Sequence, residues 1–410
     1  MTIGQRVVAA TLTIAWHLAL FVPTIGEGFG ILEGDFAPQA EAIENGDLPY
    51  ADQKLEYPPL SFVVLQAPAL FGDGTDAYVR AFQWEMLLFD LAIILVLALA
   101  LTGSAKRVIS ALVIYTLGLL ALSGVLLDDS VIDAGPLWLA RFDLVPALLV
   151  LGAVLARERE RSATWSALLS AGAAVKAFPL ALYPALLRGE RDPRRVIYGA
   201  LAALAYSVGV VIAIGDSPGS AVGYHTERGL QFESLFATPF ELASLFGPGV
   251  AVVPSAGGYD IEATGTDAAR WLTILTGLAC YLLVLVSGWR ARTPHMRLAT
   301  ALLAVMVAFG PVLSPQFLIW LLPISAAAFG FGRENVLLLV ALVFTQFSLQ
   351  YFGQALNGLE SSWVWRIAVR NGALLAYLWV VCAPIVRAGA LWRAPGQARV
   401  TAPQPGRRAA

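Results

Sequence analysis

The sequence predicts an all-α polytopic membrane protein of about ten transmembrane helices, with a re-entrant hairpin and interfacial helices in the first outer loop. Three observations carry that reading. Of 410 residues, 58% are hydrophobic and only 14% are charged, where ordinary soluble domains carry about 25% charged residues. The apolar residues fall in runs of about 20, the length that crosses a hydrocarbon core. The 27 Lys and Arg nearly balance the 29 Asp and Glu, yet the two signs separate along the chain, and that separation sets the topology. Nothing in this pattern suggests a nucleic-acid partner; the lipid bilayer is the first one implied.

Taken in order, residues 7–25 follow Arg6 and have no small-residue cleavage pattern behind them, so they read as an uncleaved signal anchor and first span. Further spans are expected at 82–101, 108–126, 137–156, 196–214, 271–287, 336–352 and 363–386. Residues 298–331 are broken by Gly310-Pro311 and Ser314-Pro315 and fit two short spans meeting near one face. Residues 58–71 are too short to span and open on two prolines, which suits an interfacial or partly inserted segment. Cys280 and Cys382 lie in apolar runs without a metal-ligating neighbour and read as core packing.

Residues 165–187 are flanked by basic clusters on both sides: Arg157, Arg159 and Arg161 before, Arg188, Arg191, Arg194 and Arg195 after. A full crossing here would put thirteen basic residues between Arg188 and Arg408 outside. A hairpin bent near Lys176 and Pro179 keeps nineteen of the 27 inside, as the positive-inside rule expects. With that parity, residues 1–388 form one transmembrane unit in the plasma (inner) membrane, with outer loops at 26–82 and 215–270. Residues 389–410 read as a disordered cytoplasmic tail. The inner loops are short and the outer ones elaborated, and no internal repeat of the carrier type is evident. A membrane enzyme working at the outer surface fits this best. The competing class is a transporter or flippase of lipid-linked saccharide.

The polar stretch 33–59 is acidic, with Lys54 as its single base, and ends in Tyr57-Pro58-Pro59. Asp35 follows the first span by about ten residues, which sets it at the outer membrane surface. A carboxylate partly shielded from water there gains the basicity to take a proton from a hydroxyl; the alternative is a loop Asp capping a helix that starts near Pro38. Glu56 and Tyr57 stand at the mouth of the next apolar segment, as site residues or as a solvated acid and an interfacial anchor. Arg141 and Asp143 are expected at the outer end of a span, and Asp90 inside another. Arg141 could pair with either carboxylate or face a cavity. Lys176, alone in an apolar hairpin, suits an anion. The run Tyr224 to Ser234 offers His225, Arg228, Gln231 and Glu233 among aromatics, which suits a sugar or a phosphate. Gln316, at the Ser314-Pro315 break, is a further inward polar candidate.

Together these residues resemble the bacterial polytopic glycosyltransferases of family 87, mannosyltransferase-like proteins with the fold called GT-C. The resemblance rests on Gly34-Asp35, the GDLPYADQKLEYPP run, Ala140-Arg141-Phe142-Asp143, Ala174 to Pro179, Tyr224 to Ser234 and Leu313 to Trp320, in that order. It implies a polyprenyl-phosphate-linked sugar as donor, a glycolipid or polysaccharide as acceptor, and inverting transfer at the outer leaflet. Asp35 matches the family's first-loop acid, the general base. Lys176, Arg141, Arg228 and His225 are the cations available to the departing phosphate, and Glu56, Tyr57, Gln231, Glu233 and Gln316 the groups available to sugar or acceptor. No cofactor is called for; Asp128-Asp129 is the one adjacent acidic pair, and no metal is assigned to it.

Overall fold

The computed structural model describes residues 1–27, 30–52, 56–124, 136–214, 228–247, 249–255 and 258–391. Lys54, Asp128, Asp129, His225 and the tail from 392 on lie outside them. The described part of the chain is 74% helical. Its helices are α1 (Ile3–Phe21), α2 (Ala37–Glu44), α3 (Ser61–Gln66), α4 (Thr75–Leu95), α5 (Ala105–Ala121), α6 (Leu144–Glu158), α7 (Ser162–Val175) and α8 (Tyr183–Leu187). They continue with α9 (Pro193–Ile214), α10 (Thr238–Ser244), α11 (Thr266–Arg290), α12 (His295–Ala308), α13 (Phe317–Phe329), α14 (Arg333–Gln350), α15 (Phe352–Leu356) and α16 (Ser361–Leu391).

Among the described residues, four helical stretches are long and apolar enough to cross a bilayer: Ile3–Thr24, Thr75–Ala100, Thr266–Arg290 and Ser361–Leu391. The other expected spans fall on α5, α6, α9, α12, α13 and α14, of which α9 has 22 residues and the rest 13–18. Apolar side chains such as Leu12, Trp16, Ile212, Leu275 and Trp379 stand exposed on α1, α9, α11 and α16, an outer surface suited to lipid rather than water. The centre is α13, buried from Leu318 through Ala327 and packed against α5, α6, α12 and α14. A helix apolar all round needs such enclosure.

Two features depart from expectation. The stretch expected to span from 137 begins as a 3-10 turn, Leu137–Leu139, and α6 starts only at Leu144. Arg141 and Asp143 therefore sit ahead of the helix in an irregular turn, where the Asp143 carboxylate is drawn to partners on other elements. The described chain between α9 and α11 is not helical throughout. Ala251–Ser255 (β1) pairs antiparallel with Gly258–Glu262 (β2), Val253 opposite Asp260. Val252, Val253, Tyr259 and Ile261 favour strand, and Pro254 is tolerated because a two-stranded ribbon has only edges.

One end of the bundle is held by arginines that donate to helix-terminal carbonyls. Arg6 Nη1 donates to the carbonyls of Ala98 and Leu101 at 2.9 and 2.7 Å, beyond the end of α4. Arg107 donates to Ala327 O in the last turn of α13, and Arg188 to Gly288 O in the last turn of α11 and to Thr293 O beyond it. The last carbonyls of a helix lack internal partners and carry partial negative charge, so cations stabilise them.

The segment after this end turns back on itself. Lys176 is extended at φ −154° and ψ 127°, ending α7, and Pro179 lies in the following 3-10 turn. Glu190 then accepts from Ser162 Oγ at 2.8 Å and from Trp165 Nε1 at 3.0 Å, and Arg157 donates to Leu186 O and Arg188 O. Residue 190 thus lies beside residue 162, with Lys176 at the far tip. Gly199 of α9 lies against α7, where a Cβ would come 2.2 Å from Ala163 O. Gly199→Ala is expected to separate these helices and destabilise the protein by about 1–3 kcal/mol. An unchanged apparent melting midpoint in detergent would contradict that close contact.

Candidate active site

Helices α6, α7 and α13 each run from the arginine-capped end to a second end about 20 Å away, at 1.5 Å per residue. There they deliver Asp143, Lys176 and Trp320 to one point. Lys176 Nζ lies 2.7 Å from Asp143 Oδ1, and Trp320 Nε1 donates to the same oxygen. Asp143 is 1% exposed and its second oxygen has no hydrogen-bond partner. Four rings surround the ammonium: Phe142 at 5.0 Å, Trp320 at 5.3 Å, Tyr57 at 5.4 Å and Phe317 at 5.5 Å. Phe178 stacks on Trp320 with centroids 3.9 Å apart. Ring faces carry negative potential, so this cage stabilises the cation together with its carboxylate.

The segment between α1 and α4 reaches the cage through Tyr57. Leu60 N donates to Ala174 O at 2.8 Å, fixing the loop to the end of α7, and Tyr50 OH donates to Tyr57 O. Burial, then the neighbouring Glu56 carboxylate, pushes the Tyr57 phenol well above its ordinary pKa. Tyr57 is therefore a neutral donor at the site. Glu56 forms an ion pair with Arg228 at 3.2 Å, joining the segment between α1 and α4 to that between α9 and α11.

Asp35 lies in a π-helical turn, Leu32–Phe36, whose Leu32 and Phe36 are buried while Glu33 and Asp35 are exposed. The partial shielding expected for Asp35 is absent. Phe36 packs on Phe82, Phe142 and Tyr57, with centroids at 5.7, 6.0 and 6.4 Å, so Asp35 stands one residue from the rings of the cage.

Arg141 pairs with neither expected carboxylate. Asp143 is taken by Lys176, and Asp90 by His17, whose Nδ1 lies 2.7 Å away. Arg141 enters no ion pair among the described residues, and its Nε is buried without a hydrogen-bond partner. Its charge acts on Tyr57 and on Glu233.

Gln231 fastens the segment between α9 and α11 to the break before α13. Its N donates to Pro311 O at 3.0 Å, and its Oε1 accepts from Leu313 N at 2.7 Å. Its Nε2 faces Glu233 at 3.3 Å. Gln316, 8% exposed, immediately precedes α13 at the same break. Glu233 is held from α16, where Arg370 donates to its carbonyl and lies 3.6 Å from Oε1. Asn371 donates to Ser234 O at 3.3 Å and to Thr238 Oγ1 at 2.6 Å. Glu241 is fully buried beside this cluster, and neither of its oxygens has a hydrogen-bond partner. Burial pushes its carboxyl well above the usual range against the pull of Arg370.

Burial also pushes the Glu233 carboxyl up to about 7, with Arg370 and then Arg141 pulling the other way. A raised acid holds its proton more tightly folded than unfolded, so its contribution to stability is complete below pH 4.5 and falls as pH rises toward about 7. The apparent melting midpoint is expected to fall across that window, and Glu233→Gln is expected to flatten this part of the profile. An identical profile in the variant would remove Glu233 as the titrating group.

The structure thus brings Tyr57, Arg141 and Lys176 together, with Glu56 and Arg228 joined beside them and Gln231, Glu233 and Gln316 around the adjoining break. His225 lies outside the described residues. Asp143, Trp320, Glu241, Arg370 and Asn371 complete the arrangement and are not among the site residues the sequence points to. A charge and an amide adjacent within an apolar run are the available signal for Arg370 and Asn371. Among the described residues, no group of three or more His, Cys, Asp and Glu is placed to hold a metal ion.

An apolar helical bundle that gathers acids, cations and aromatic rings at one end has the build of a membrane-integral transferase. The model of glycosyltransferase family 87 matches residues 55–315, more than half of the sequence, and the chain belongs to that family. The match contains Glu56, Tyr57, Arg141, Asp143, Lys176, Arg228, Gln231 and Glu233; Asp35 precedes it and Gln316 follows it. No curated protein and no solved structure matches the chain. The protein is a glycosyltransferase of the membrane, and as such uses a sugar donor and an acceptor.

Proposed function

We propose that this glycosyltransferase moves a hexose, mannose by preference, from a polyprenyl-phosphate donor to an envelope glycolipid or polysaccharide at the outer face of the plasma membrane. The observation that carries the reading is Arg141: a guanidinium with a buried, unpartnered Nε and no ion pair among the described residues, set beside the aromatic cage in an apolar bundle. A lipid phosphate is the anion that such a cation can take while the lipid chain stays in the bilayer. Arg228 lies on the segment whose sequence also holds His225, and Lys176 adds charge from within its cage.

In the reaction, the acceptor hydroxyl oxygen forms a bond to the anomeric carbon from the face opposite the phosphate. The carbon–oxygen bond to phosphate breaks with its electron pair, and the configuration inverts. Asp35 takes the hydroxyl proton, and Arg141 stabilises the charge that develops on the phosphate. Tyr57, Glu56, Gln231, Glu233 and Gln316 hold the sugar and acceptor hydroxyls. The exposure of Asp35 suits a base that meets an acceptor arriving from the aqueous side. In this reading residues 162–190 enter and leave the membrane by its cytoplasmic face, with Lys176 at the tip.

The test is purified protein supplied with polyprenyl-phosphate mannose and envelope lipid. Expected is a glycolipid product with inverted anomeric configuration, and none from a nucleotide sugar. Movement of labelled donor across proteoliposomes without acceptor, and without product when acceptor is added, would replace this reading with that of a flippase.

A further inference from the structure

At the arginine-capped end, remote from the cage, lies a cavity of about 800 Å³. Lys106 and Arg107 line it from the first turn of α5, Arg297 from the first turn of α12, and Gly332, which immediately precedes α14, closes another side. Three cationic side chains thus face one carboxylate, Glu158. None of these four groups forms an ion pair among the described residues. Arg107 is committed to Ala327 O and Thr102 O. Lys106 and Arg297 are exposed, Arg297 over the Phe329 ring at 5.8 Å.

Backbone adds to this charge. Three helices open at the cavity, and the first amides of each lack internal acceptors and carry partial positive charge. The turn after α13 fits closely because Gly330 has φ +50°, where a Cβ would come 2.3 Å from Ser110 Oγ. That turn presents Phe331, 56% exposed, at the rim. The result is a cationic recess with an apolar lip on a protein embedded in a bilayer.

We infer that this cavity binds the phosphate of an anionic phospholipid, with Lys106 and Arg297 as its ligands and Phe331 against the acyl region. A soluble phosphate would satisfy the cations but leave Phe331 without a partner, whereas a lipid meets both. Basic recesses between membrane helices take anionic headgroups for this reason. The site is separate from the transfer reaction.

The experiment uses full-length protein in detergent, titrated with phosphatidylglycerol, phosphatidylcholine or inorganic phosphate and read by native mass spectrometry and apparent melting midpoint. Phosphatidylglycerol is expected to be retained and to raise the midpoint. Lys106→Gln/Arg297→Gln is expected to bind it about tenfold more weakly, while Arg194→Gln/Arg195→Gln, at exposed positions elsewhere, leaves binding unchanged. Arg107 stays intact because it caps α13, and the double variant's midpoint without lipid reports its folding. Equal retention of phosphatidylcholine, or undiminished phosphatidylglycerol binding by Lys106→Gln/Arg297→Gln, would overturn the inference. A midpoint rise from inorganic phosphate matching that from phosphatidylglycerol would reassign the cavity to a soluble anion.

Discussion

Replacing Asp35 by Asn is expected to lower sugar transfer by about 10²–10⁴-fold, the usual contribution of a positioned general base. The substitution keeps the size of the side chain and removes its charge and its proton affinity. Asp35 is exposed, and its side chain makes no hydrogen bond among the described residues, so neither stability nor donor binding should change. The measurement is turnover with polyprenyl-phosphate mannose, beside donor retention and melting midpoint of the same preparation. Loss of turnover with donor binding kept separates a missing base from a damaged site. Full transfer by Asp35→Asn would sink the assignment and leave Glu56 and Glu233 as the carboxylates to test next.

The second large effect concerns Lys176 and Asp143. Lys176→Met leaves Asp143, 1% exposed, with Trp320 as its remaining donor. A buried charge that loses its partner destabilises by about 3–5 kcal/mol. Asp143→Asn strands the ammonium in its ring cage and costs a similar amount. Lys176→Met/Asp143→Leu removes both charges and should be less destabilised than either single variant, because two desolvation penalties vanish along with one attraction. Denaturation in detergent of the unsubstituted protein, Lys176→Met, Asp143→Leu and Lys176→Met/Asp143→Leu gives the coupling as a double-mutant cycle. Additive single effects would mean that the two residues do not depend on each other. The pair also bears on the proposed chemistry, since Lys176 gives its shortest contact to Asp143 and reaches a donor phosphate by charge at a distance. Arg141, without such a partner, is the direct ligand in the proposal.

Much of the molecule is legible in the amino-acid sequence. The bilayer class follows from composition, because apolar runs of about 20 residues have no other solvent in which to sit exposed. The ends of helices are marked by Pro and Gly: Pro179 after α7, and Gly310-Pro311 and Ser314-Pro315 ahead of α13. Several of the basic residues that argue for topology, Arg6, Arg107 and Arg188 among them, also donate to helix-terminal carbonyls at one end. The strand pair at 251–262 is signalled by Val252, Val253, Tyr259 and Ile261, but four-residue alternation is a weak signal inside a loop rich in Gly and Pro.

Partner choice is not legible in the same way. The sequence offers Arg141 two carboxylates, one only two residues away, and it takes neither. Asp143 instead binds Lys176 at a separation of 33 residues, and Arg370 reaches the Glu233 carbonyl across 137. Hydropathy, caps and turn residues act over a few neighbours, so the sequence by itself determined that this chain is a membrane protein, where its helices break, and which polar groups lie among apolar ones. Pairing among buried charges is set by distances of a few ångströms in a medium of low dielectric constant. Those distances exist only once α6, α7, α13 and α16 have packed, and that packing decided which cation is held by a carboxylate and which is not.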